Sequence, residues 1–138
     1  MTPSKAPLTF LGMWKLVKCE SSRPDLPHPT GGLTTFTQDD QGIHYRNEGI
    51  WSDGRTIKVH ATLQLDGTWC PVTGSVLSDS LSLRRLDDGS LEVKMRKGGA
   101  DVGTNHTTVS GDGLTLTSHW EFPNPDGAVT WTTTSARE

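Results

Sequence analysis

Positive charge is scarce in this chain: thirteen Lys and Arg stand against sixteen Asp and Glu, a formal net charge of −3 over 138 residues. With a pI near 5.9, it lacks the basic face that binding phosphates requires, which excludes an electrostatic nucleic-acid binder. Long apolar runs are missing as well, and none approaches the roughly 18 residues of a membrane-spanning helix. The opening Met1-Thr2-Pro3-Ser4-Lys5-Ala6-Pro7 holds no apolar segment of signal-peptide type, so a cytoplasmic location is the expectation. Alanine, the best helix former, appears only five times, whereas threonine reaches nineteen and glycine fifteen. That balance argues against helix and for pleated, half-buried surfaces. There are only two cysteines, Cys19 and Cys70. One distant pair fits neither a disulfide-dense scaffold nor a metal or redox Cys-x-x-Cys motif, so free thiols or small packing residues are expected.

Turn signals are plentiful. Asp-Gly occurs five times, at 53–54, 66–67, 88–89, 112–113 and 126–127, and this dipeptide tolerates the positive φ of tight hairpin turns. Gly31-Gly32, Gln41-Gly42, Gly74-Ser75 and Gly98-Gly99 fill the gaps. Nine breaks at nearly even spacing predict about ten short strands joined by tight turns, with no room for the crossovers that a parallel sheet needs. Pro24, Pro27 and Pro29 forbid a helix or central strand within 20–30, which reads as a loop between the first two strands, placed to cover one end of the fold.

Between the turns, apolar and polar residues alternate with period two. Ile57, Val59, Ala61, Leu63 and Leu65 share one face, opposite Lys58, His60, Thr62 and Gln64. The same phasing puts Leu81 with Leu83, Leu91 with Val93 and Met95, Ile43 with Tyr45 and Trp51, and Leu114 with Leu116, Trp120 and Phe122. A wide sheet with one bare apolar face and no helix to cover it must close on itself or split into layers. The expectation is an all-β, up-and-down antiparallel barrel of about ten strands, formed by 10–138 after a tail over 1–9.

Phe10-Leu11-Gly12-Met13-Trp14-Lys15-Leu16 resembles the Phe-x-Gly-x-Trp-Lys-Leu opening of the fatty-acid-binding proteins and the Gly-x-Trp of lipocalins, both of the calycin superfamily. Cys70 to Gly74, Leu81 to Val93 and Val109 to Leu116 look like a group of small bacterial lipocalin-like proteins. The resemblance implies a closed barrel around a cavity for a small apolar molecule, with Trp14 packed across one end. The lipocalin arginine that stacks on that tryptophan has its match in Arg137. Two departures stand out. The helix–turn–helix lid of fatty-acid-binding proteins is replaced by the proline loop, and Ala128 to Thr132 lacks their Arg-x-Tyr carboxylate anchor, so a fatty-acid ligand is not supported.

Phase names the cavity candidates. Phe36, Trp51, Val59, Leu63, Met95 and Trp120 are its apolar wall, with Trp51 the foremost. Tyr45 and Asn47 point inward, as ligand contacts or as an internal hydrogen-bond network. Arg85 follows Leu81 and Leu83 in phase, so it is either a fork for a ligand carboxylate or a side chain reaching water beside Asp87-Asp88-Gly89. His106 is ambiguous in phase and could face the cavity. His44, His60 and His119 take the outer face, His44 and His60 diagonally on paired strands, without the spacing of a zinc site. No Gly-x-Ser-x-Gly, His-Glu-x-x-His, Walker or dinucleotide motif occurs. The expectation is a non-catalytic binder of a small hydrophobic or amphipathic molecule, monomeric or weakly dimeric, without metal or cofactor. The alternatives are a cyclase or isomerase of the same fold, or a packed barrel that serves as an interaction module.

Overall fold

The computed structural model describes residues 8–86 and 88–138. Its ten strands are β1 (Gly12–Ser21), β2 (Pro29–Asp39), β3 (Gly42–Trp51), β4 (Thr56–Leu63), β5 (Asp66–Thr73), β6 (Ser80–Arg85), β7 (Leu91–Lys97), β8 (Ala100–Val109), β9 (Thr115–Phe122) and β10 (Val129–Arg137). Each pairs antiparallel with its sequence neighbours, and β10 returns to β1, so the sheet is a closed barrel. Closure leaves no strand without neighbours on both sides, although β4 and β5 share only two pairs, His60 with Thr73 and Ala61 with Val72, and it turns the apolar faces inward. No helix forms among the described residues.

The predicted inner phase holds along most strands. Ile43, Val59, Ala61, Leu63, Leu81, Leu83, Leu91, Met95 and Leu116 are all buried. Leu114 departs from it: this residue sits in the turn before β9 begins and is 57% exposed. Gly31-Gly32 is likewise no turn. It lies inside β2, where Gly32 pairs with Gly49 at φ +135 and a Cβ would collide with the Glu48 carbonyl oxygen and Gly49 Cα. Close backbone approach, not chain reversal, is what this glycine serves. The first break falls instead at 22–28, the proline loop, so the count of ten strands survives with a different first turn. The expected break at Asp66-Gly67 also shifts, because the chain reverses at 64–65 and Asp66 already opens β5.

One end of the barrel is closed by the Gly12-Met13-Trp14 segment. Trp14 is fully buried, and its Nε1–H donates to the Phe10 carbonyl at 2.8 Å. Arg137, its cross-strand partner on β10, lays its guanidinium 4.2 Å from the Trp14 ring centroid. The same guanidinium donates to the carbonyl oxygens of Thr9 (2.6 Å), Leu11 (2.8 Å) and Gly113 (2.7 Å). Gly12 sits at φ +128, and a Cβ there would stand 2.6 Å from Arg137 Nη1. The glycine of the motif thus makes room for the arginine that caps the tryptophan. Leu8, assigned to the tail, already packs against this core.

Replacing Arg137 with Met keeps the bulk over Trp14 but removes the cation and strands three carbonyls. The expected loss is about 2–3 kcal/mol of unfolding free energy, measured by urea denaturation, because charge-assisted hydrogen bonds are among the stronger ones. An unchanged midpoint would show that the cap contributes nothing to closure.

Candidate functional site

Between the Trp14 end and the opposite end, the barrel holds a partly open cavity of about 140 Å³. An apolar cavity of about 150 Å³ takes a molecule the size of benzene, so the space suits a compact ring rather than a long chain. Val59, Leu63, Leu83 and Met95 supply much of its apolar wall. At the far end, Trp51 meets Trp131 edge-on at 5.4 Å, Phe122 meets Trp131 at 4.7 Å, and Trp120 lies 5.9 Å from Trp131. Leu26 of the proline loop and Leu77 of the β5–β6 connection pack onto this aromatic cluster. The proline loop therefore covers that end, as expected from its position.

Two walls are polar. On β3, Tyr45 and Asn47 are two residues apart and share the inner face, which spaces them about 7 Å along the strand. Asn47 Nδ2 donates to Thr34 Oγ1 at 2.9 Å and to the Leu33 carbonyl at 3.4 Å, which turns its Oδ1 away as an acceptor. Among the described residues, Tyr45 Oη has no hydrogen-bond partner, and it is not sealed away from the cavity space. Burial pushes the Tyr45 phenol up to about 12, because the ionised form loses its hydration inside the barrel.

The second polar wall lies on β8–β10, three to five strands around the ring from β3. Thr107 Oγ1 donates to Asn105 Oδ1 at 2.6 Å, so the 2.7 Å contact with Ser118 Oγ takes its proton from the serine. Trp120 Nε1 donates to Thr133 Oγ1 at 3.3 Å. Ser135, also on the lining, is buried. No charged side chain of the described residues lines the cavity.

Eight of the predicted site residues line this space: Phe36, Tyr45, Asn47, Trp51, Val59, Leu63, Met95 and Trp120. Arg85 and His106 do not. On β8 the inner positions are Gly103, Asn105 and Thr107, so His106 faces out, where its Nε2 lies 3.0 Å from Ser90 Oγ. Arg85 is the last residue of β6; its half-exposed side chain lies outside the cavity lining, and Asp87 of the adjoining turn lies outside the described residues. Trp131, ambiguous in sequence, is inner wall, whereas Trp69 lies on the outside with the Arg96 guanidinium 4.1 Å from its ring centroid. His44 and His60 do stack on the outer face, with ring centroids 6.2 Å apart, and His44 Nε2 lies 2.7 Å from Asp39 Oδ2. No group of three or more His, Cys, Asp or Glu among the described residues is placed to hold a metal ion. Cys19 and Cys70 are both free thiols, and burial together with the Glu20 carboxylate pushes Cys19 up to about 11.

No family model matches the chain, and no curated protein matches its sequence. Solved structures do match its architecture. A zebrafish ileal bile acid-binding protein, solved with cholic acid, superposes with a TM-score of 0.62 at 13% identity, over 94% of this chain and 99% of that one. A redesigned β-barrel, mFAP0, solved bound to DFHBI, gives 0.52 at 16% identity with the same coverage, 94% and 99%. The fold is a closed, ten-strand antiparallel barrel, similar in architecture to these two structures. At such low identities the likeness speaks for fold alone. In this barrel the loop at 22–28 follows β1 directly, with no helical lid in that place. The late strand carries Thr130 and Trp131 where the resemblance leads one to look for a cationic anchor, and Trp131 closes on Trp51 instead.

Tyr45 is the single tyrosine, so tyrosinate absorbance reads this one group. The folded barrel is expected to ionise it near pH 12, against about 10 for an exposed phenol. A raised folded value means that the native state holds the proton longer. Stability is therefore complete below the unfolded value and falls as pH rises from about 10 to about 12, by roughly 1.4 kcal/mol for each pH unit between the two values. Ionisation at the ordinary value in the folded protein would place the hydroxyl in bulk water rather than in the cavity.

Proposed function

We infer that this protein binds a small hydrophobic or amphipathic molecule inside its barrel and does no chemistry on it. The observation that carries the reading is the mainly apolar cavity inside the barrel, with a few inward polar atoms that have no partner among the described residues, Tyr45 Oη foremost. A packed interaction module has no use for such a space, since protein interiors close to crystal density when nothing needs the room. Binding sites are mostly apolar concavities with a small number of placed polar groups. The ligands held by the two similar barrels, cholic acid in one and DFHBI in the other, are ring compounds, which supports the class by analogy of fold.

An enzyme reading has less support. The inner polar groups are an amide pair, hydroxyls and a phenol held well above neutral pH. General acid–base work near neutrality favours a group whose pKa lies near the operating pH.

The test is a titration with 1-naphthylamine, a compact neutral fluorescent probe, beside the variant Val93→Phe. Val93 lines the cavity and is only half-buried, so the larger ring has space to fill. The wild-type protein is expected to brighten the probe at micromolar concentration, and the variant to lose that signal while keeping its thermal midpoint within a few degrees. A filled core would instead overpack, losing about 1–3 kcal/mol, and would bind no probe to begin with. That pair of results would end the binding reading.

A further inference from the structure

Resting on the binding reading, we propose that the cavity selects uncharged ring compounds bearing a hydroxyl or carbonyl group, holds that group at Tyr45 and Asn47, and rejects carboxylates of the same shape. The first support is the composition of the wall. Its polar members are amides, hydroxyls and one phenol, and no cation among the described residues lines it. An ionised carboxylate brought into such a space loses its hydration and gains no counter-charge, a severe penalty unless it is paired. Arg137, which closes one end, is occupied by three backbone carbonyls and the Trp14 face. Arg55, near the other end beside Trp51, is paired with Asp53, its Nε donating to Oδ2 at 2.7 Å.

The second support is the division of labour between the polar walls. On β8–β10 the Thr107 hydroxyl proton goes to Asn105, that of Ser118 to Thr107, and Thr133 accepts from Trp120. These hydroxyls largely satisfy one another, although Asn105 Nδ2 and Ser135 Oγ have no hydrogen-bond partner among the described residues. On β3 the arrangement is open: Asn47 spends its Nδ2 on Thr34 and Leu33, leaving Oδ1, and Tyr45 Oη has neither donor nor acceptor among the described residues. A ligand carbonyl accepts from Tyr45 Oη, and a ligand hydroxyl donates to Tyr45 Oη or to Asn47 Oδ1, which lies beside Gly49. Phe36 packs against the Tyr45 ring, with centroids 5.4 Å apart. The burial that holds Tyr45 in its neutral form acts in the same sense on a ligand's acid group.

The test uses three probes on one ring system, naphthalene, 2-naphthol and 2-naphthoate, titrated calorimetrically into the full chain at pH 7. The proposal expects 2-naphthol to bind about tenfold or more tighter than naphthalene, and 2-naphthoate at least a hundredfold weaker than 2-naphthol. Tyr45→Phe should erase most of the 2-naphthol advantage and leave naphthalene binding unchanged, a readout that a purely structural tyrosine would not separate. Equal binding of 2-naphthol and 2-naphthoate would overturn the exclusion of charge. An undiminished 2-naphthol advantage in Tyr45→Phe would overturn the anchor. Failure of all three probes would overturn the binding reading itself, whereas naphthalene binding without discrimination would leave that reading standing and remove only this inference.

Discussion

Pairing of the last strand with the first is the constraint on which the rest of this molecule depends. A sheet of ten strands with an apolar inner face and no helix to cover it has one economical way of hiding that face, which is to curl until β10 meets β1. Seven residue pairs join them, from Trp14 opposite Arg137 to Ser21 opposite Trp131, so the same ladder runs past both ends of the cavity. At one end it brings the Arg137 guanidinium over Trp14, and at the other it sets Trp131 against Trp51. A bulge between Leu16 and Lys18 bends β1 along this ladder and leaves Val17 exposed, as bulges do where a barrel wall must turn.

The cavity follows from that closure together with modest side-chain volume. Gly32, Gly49, Ser118 and Ser135 are small residues on the lining, and larger ones there would fill the space. Uncharged polar atoms inside the barrel need partners, and most find them across strands, as Asn47 does with Thr34 and Ser118 with Thr107. The atoms left over define what a guest must supply. A neutral interior of this kind distinguishes the protein from a barrel built around a buried arginine, even where the strand topology is shared.

Much of the architecture is legible in the sequence because period-two alternation and Asp-Gly turns are local signals. The inner phase of β4, β7 and most of β9 can be read directly from Val59, Met95 and Trp120. The Trp14–Arg137 contact comes from the resemblance rather than from any periodicity, since 123 residues separate the two. The polar wall on β8–β10 escapes sequence reading, unlike Tyr45 and Asn47 on β3. On β8 and β10, Asn105, Thr107, Thr133 and Ser135 point inward among neighbours that are also polar, so hydropathy carries no phase there. Ser118 shares its phase with Leu116 and Trp120, and that is the one available clue. His106 misleads for the same reason, and Gly31-Gly32 because a glycine pair within a strand looks like a turn until its partner Gly49 is known.

The central claim is that a guest-sized space, bounded by uncharged groups, exists inside the closed barrel. A crystal structure under xenon pressure tests it most directly, because xenon enters apolar cavities and scatters strongly. Xenon is expected between Leu83, Met95 and Trp120, with little movement of the surrounding strands. An interior in which these side chains meet and exclude the gas would contradict it.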